Sequence, residues 1–134
     1  MAVTIDGTTG IFLPGLSAGV EGTVSTDGCF ISQWDNDGTF SDGSTYTPAL
    51  TGSNWKYIVN GGNFTFAAPA TAGATLAYTM VVYVSNVSAP GVITMSGFTR
   101  VTGDSFTTTV GHVFYVYITV FGGGSKIANV VAAQ

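Results

Sequence analysis

The sequence predicts an all-β protein, an antiparallel β-sandwich of jelly-roll type with an extended N-terminal arm. Three observations carry that expectation. Apolar residues come in short β-branched and aromatic runs bounded by Gly, Pro, Asn or Ser, no segment keeps a 3.6-residue apolar period, and turn-forming residues recur between the runs. With no helix to carry a parallel crossover, strands joined by hairpins are the economical solution.

Along the chain, residues 1–45 read as an arm or loop-rich segment and residues 46–134 as a β-sandwich oligomerisation domain. The first zone holds Asp6, Asp27, Asp35, Asp37 and Asp42 among many Gly, Ser and Thr, and its expected strands are short, at Val3–Ile5 and Gly28–Gln33. From Tyr46 onward, strands are expected at 54–59, 63–67, 75–85, 91–96, 105–110, 112–121 and 126–131. Asn60-Gly61-Gly62-Asn63 and Gly122-Gly123-Gly124 supply residues that tolerate positive φ, and each reads as a hairpin turn.

The charge distribution points to covered surfaces. Charged residues make up 7% of the 134-residue chain, against about 25% in an average globular protein, and none occurs from Tyr57 to Thr99. A net charge of −4, with Lys56, Arg100 and Lys126 as the basic residues, leaves no electrostatic footprint for nucleic acid. No apolar run approaches the ~20 residues of a spanning helix, so membrane insertion is not expected. Met1 to Val20 shows neither a basic start nor a continuous apolar stretch, so the product is expected to fold where it is made.

Side-chain alternation says which faces are covered. In the strand from Val113 to Phe121, Phe114, Val116, Ile118 and Val120 lie on one face, and Val113, Tyr115, Tyr117, Thr119 and Phe121 on the other. Both faces are apolar or aromatic, whereas a sheet with one solvated face alternates apolar with polar. One cover is the partner sheet; the other is expected to be a neighbouring subunit, with Tyr83, Val113, Tyr115, Tyr117 and Phe121 at the interface.

Little chemistry-bearing pattern accompanies this. His112 is the single histidine and opens an aromatic strand, so any Ser-His-Asp arrangement would have to use it; a satisfied strand-edge histidine is the simpler reading. Cys29 is alone, which excludes an intrachain disulfide and a multi-cysteine metal site. No enzymatic activity and no cofactor are expected. Asp35-Asn36-Asp37-Gly38 followed by Asp42 resembles the middle of a calcium loop, but Gln33 and Ser44 stand where the first and last ligands belong. Asp and Asn capping turns through their own backbones explain the cluster without a metal. Trp34 and Trp55 bracket it, and Trp34, Asp35, Asp37 and Trp55 together are candidates for contact with a sugar or a protein lattice.

The opening Met1-Ala2-Val3-Thr4-Ile5-Asp6-Gly7-Thr8-Thr9-Gly10-Ile11 is similar to the starts of tailed-bacteriophage fibre and virion surface proteins. The run from Tyr57 to Pro69, followed by Tyr78 to Asn86, resembles their small β-domains. The resemblance implies a domain that forms a homotrimer on a virion, made in the host cytoplasm, whose partners are its own copies and the major capsid protein or other virion proteins. A capsid decoration (cement) protein is the first expectation. The alternative is a short tail or head fibre that recognises a host surface glycan.

Overall fold

The computed structural model describes residues 4–6, 10–12, 22–24 and 30–133, and among them it is all-β, with no helix. The chain divides into two compact units, Met1–Ile31 and Ser32–Gln134. In the first, β1 (Thr4–Asp6) pairs antiparallel with β2 (Gly10–Phe12), Ile5 lying opposite Ile11. β3 (Gly22–Val24) and β4 (Phe30–Ser32) form a second two-stranded sheet. Cys29 lies outside the described residues, as does much of the Met1–Ile11 opening.

The second unit holds β5 (Asp35–Phe40), β6 (Ser44–Tyr46), β7 (Trp55–Asn60), β8 (Phe64–Ala67), β9 (Ala77–Asn86), β10 (Ile93–Ser96), β11 (Arg100–Gly103), β12 (Val113–Phe121) and β13 (Lys126–Ala133). They make a six-stranded sheet in the order β11-β13-β12-β9-β7-β5 and a three-stranded sheet in the order β10-β8-β6. From β5 to β11 the chain alternates between the two sheets, strand by strand. Neighbours within a sheet are therefore successive passes of the same direction: β5, β7 and β9 are parallel, and so are β6, β8 and β10.

This corrects the antiparallel expectation: both sheets contain parallel pairs, and the six-stranded sheet is mixed. A parallel pair needs a crossover, usually a helix, and here a strand of the other sheet makes it. The Asn60–Asn63 segment, expected to turn a hairpin, instead carries the chain from one sheet to the other. The Gly122–Gly124 hairpin is present: β12 and β13 pair antiparallel, closed by bonds from Phe121 N to Ser125 O and from Gly124 N to Phe121 O.

Two further differences concern boundaries. The compact unit begins at Ser32, so β5 and β6, placed in the arm by their polar composition, are strands of the domain. The stretch 105–110, expected as a strand, is irregular, and Arg100–Gly103 is the strand instead. In that stretch Phe106 packs edge-on against Phe114, with ring centroids 5.1 Å apart, so its aromatic residue fills the core without a ladder.

One buried cluster draws on both sheets. Ile58, Met80, Val82, Val84, Phe114, Val116, Ile118, Val120, Ala128 and Val130 come from the six-stranded sheet, and Tyr46, Phe64, Phe66 and Ile93 from the other. Period-2 alternation puts these side chains on inner faces, and the runs that looked apolar on both sides are buried on this one.

Candidate functional site

The outer face of the six-stranded sheet collects the side chains that the core does not use. Tyr57 lies opposite Tyr83 across the β7–β9 ladder, and Tyr83 opposite Tyr115 across β9–β12. Register alone therefore aligns three tyrosines from three strands. Trp34, just before β5, meets Tyr57 edge-on with centroids 5.0 Å apart; Tyr57 stacks on Tyr83 at 5.6 Å; Tyr83 meets Tyr115 edge-on at 5.2 Å. Tyr115 continues to Tyr117 at 6.4 Å. The result is an unbroken aromatic row across four strand positions, each pair in a favourable offset or edge geometry.

A second row parallels it, with Trp55 opposite Val81 and Val81 opposite Tyr117. The outward positions of β7, β9, β12 and β13 carry no charged side chain. Within the row Tyr57, Tyr83 and Tyr115 are half-buried against one another, while Trp34 at 58% exposure, Trp55 at 45%, Tyr117 at 45% and Phe121 at 48% stand open. Partial burial pushes the Tyr83 hydroxyl above the usual tyrosine range, with Tyr115 and Tyr57 adding to it. The face offers rings and hydroxyls and, on these strands, no acidic or basic side chain.

The five interface candidates from the sequence thus share one face: Tyr83, Val113, Tyr115, Tyr117 and Phe121 all lie opposite the core side of β9 and β12. Sequence reasoning missed how far the face extends, to Trp34, Trp55, Tyr57 and the exposed Val131 on β13. The signal that could have found Tyr57 was parallel pairing, which hairpin logic did not suggest.

The second candidate group divides. Trp34 and Trp55 are exposed, but Asp35 and Asp37 are engaged elsewhere. Asp35 Oδ2 is 2.5 Å from the buried Lys56 Nζ and accepts from Ser53 N at 2.9 Å, and the Lys56 bond holds its carboxyl below the usual range against the opposing effect of burial. Lys56 Nζ also donates to Thr51 O at 2.8 Å. Asp37 accepts from the Tyr46 hydroxyl at 2.7 Å; burial, then this bond, pushes the Tyr46 phenol far up. Asn36 Oδ1 accepts from Gly38 N at 3.1 Å across a β-bulge, with Gly38 at φ 93°. Asp42 Oδ1 accepts from Asn63 N at 2.5 Å. The Asp-Asn-Asp-Gly run is a bulged strand that spends its oxygens on its own fold. Among the described residues no group of three or more His, Cys, Asp or Glu could hold a metal ion.

His112 Nδ1 lies 2.8 Å from Thr107 Oγ1, a contact that ties the 104–110 segment to the start of β12. Beside it is a polar feature that sequence reasoning missed. Asn60 and Asn86, adjacent in the β7–β9 register, are both fully buried, and Asn60 Nδ2 donates to Asn86 Oδ1 at 2.9 Å. Asn60 also bonds Gly91 O and Gly91 N, while Asn86 Nδ2 donates to Thr107 O and Thr109 O. Together they fasten two loops, the β9–β10 and β11–β12 connections, to one end of the sheet.

Comparison with protein-family models, curated proteins and solved structures finds no match to this chain.

Proposed function

We propose that this chain is a non-enzymatic assembly protein: it forms homotrimers through the outer face of the six-stranded sheet, and the trimer decorates the outer surface of a bacteriophage capsid. The observation that carries the self-association is the uncharged aromatic row from Trp34 to Tyr117, flanked by exposed Phe121 and Val131. A contiguous apolar face of this kind on a soluble domain marks an association surface, and its composition, rich in Tyr and Trp and free of Lys and Glu, is that of a buried subunit interface. The virion setting rests on the resemblance of Met1–Ile11 and of the Tyr57–Pro69 and Tyr78–Asn86 runs to phage surface proteins. Synthesis in the host cytoplasm belongs to the same reading.

The fold that accompanies this proposal is a two-layer β-sandwich, in which strand-by-strand alternation replaces the pairing of an antiparallel jelly roll. Its test places the protein on intact particles: imaging should show density for three copies at each occupied site. Tyr117→Lys combined with Phe121→Lys should remove that density. Unchanged decoration by this variant would remove the outer face from the account.

A second reading is favoured by the exposure of Trp34 and Trp55, whose indoles could stack on a host glycan in a short fibre. There the carboxylates of Asp35 and Asp37 would not serve as hydroxyl acceptors, being committed to Lys56 and Tyr46. A glycan array probed with the wild type and with Trp34→Ala and Trp55→Ala decides it. Array-wide silence ends this reading, and a signal lost in both variants favours it.

A further inference from the structure

The three-stranded sheet ends at β10, while the six-stranded sheet continues to β11. Beside the edge of β10 that no strand pairs with among the described residues lies a cleft of about 400 Å³, walled by 91–95 on one side and 101–108 on the other, with Val130 in its lining. We propose that this cleft is an acceptor for an extended, uncharged peptide strand of a partner protein, which adds to β10 as a fourth strand of the smaller sheet.

Main-chain geometry identifies the occupant. In a parallel ladder the N–H and C=O of one residue point to the same side, and successive residues alternate. Phe64 N bonds Val92 O and Ala68 N bonds Ser96 O, so the groups of Val92, Thr94 and Ser96 face β8. Those of Ile93 and Met95 then face the cleft, and no strand pairs with them among the described residues. A row of main-chain donors and acceptors at strand pitch is complementary to another main chain, as in β-augmentation.

The lining agrees with that class of ligand. Ile93, Met95, Phe106 and Val130 give alternate side chains of an added strand an apolar floor, and Thr and Ser residues form the rim. The acid at the cleft, Asp104, already accepts from Ala132 N at 2.8 Å, so the site does not call for a basic peptide. Free edges of native sheets usually carry a charge, a proline or a bulge that discourages pairing. β10 reads Ile-Thr-Met-Ser, with none of these. Among the described residues its edge is thus left open to pairing. The proposal does not depend on the outer-face interface, which lies on the other sheet.

The probe is a synthetic peptide copying residues 62–68, the segment that β10 already pairs with on its other edge. Titrated into isotope-labelled protein, it should give saturable amide shifts at Ile93, Met95 and the 101–108 segment, and slow hydrogen exchange at the amides of Ile93 and Met95. Met95→Pro removes one outward N–H without breaking a bond to β8. It should weaken binding by roughly ten-fold, as expected for one lost, desolvated hydrogen bond. A peptide N-methylated at the positions of Thr65 and Ala67, whose main-chain groups would face β10, tests the same point without altering the protein, and it should not bind. No saturable shift at millimolar peptide, or equal binding by the N-methylated peptide, overturns the proposal. Concentration-dependent shifts at Ile93 and Met95 without peptide would also overturn it, by giving the cleft to a second copy of this chain.

Discussion

Asn60 and Asn86 illustrate how single residues decide this fold. Each is a polar side chain with no access to water, and such a group costs about 1 to 3 kcal/mol when left unpaired. Here every bond is made, and the bonds reach Gly91, Thr107 and Thr109. Asn60→Ala would orphan Gly91 N and Asn86 Oδ1, and we expect a loss of about 2 to 3 kcal/mol in chemical denaturation. From the sequence, Asn60 read as a turn residue, because nothing local distinguishes an asparagine in a turn from one that anchors a distant loop. Asp35 makes a different prediction. Lys56 lowers its carboxyl from the ordinary value of 3.8, so its contribution to stability is fully present above about pH 4 and is lost as pH falls through the lowered value. The thermal midpoint of the wild type should therefore fall in that acid window relative to Asp35→Asn. Parallel profiles for the two proteins would remove the ion pair from the stability account.

At the scale of elements, the long strands were legible and their partners were not. β7, β8, β9, β12 and β13 announce themselves by β-branched and aromatic runs, and each expected strand overlaps the observed one. β5 and β6 were hidden because Asp-Asn-Asp-Gly and Ser-Thr-Tyr satisfy turn chemistry as readily as edge-strand chemistry. What no local pattern encodes is that successive strands alternate between sheets, since parallel and antiparallel neighbours bury the same inner residues. The alternation brings connections into close approach. At Gly91 an added Cβ would collide with the backbone of Gly62 and Asn63, the link from β7 to β8. Gly91→Ala should therefore destabilise the domain by about 1 to 3 kcal/mol, the usual cost of overpacking. Amide exchange should show the loss concentrated at β8 and β10. Wild-type protection at those strands would show that the contact is not needed.

For the whole molecule, the two faces of the six-stranded sheet divide the work. The inner face joins the core, and the outer face carries the aromatic row. The sequence revealed that both faces of β12 are apolar and that charge is missing from Tyr57 to Thr99. It could not show that Trp34, Tyr57, Tyr83 and Tyr115 come into a single line, because that line depends on the parallel register of β5, β7 and β9. A face of this composition gains more from burial against copies of itself than from exposure, at about 25 cal/mol per Å² of apolar surface removed from water. The most direct test is the mass of the protein in solution by sedimentation equilibrium at micromolar concentration. The wild type should sediment as a trimer, and Tyr117→Lys with Phe121→Lys as a folded monomer. A wild-type protein that sediments as a stable monomer would contradict self-association through the outer face.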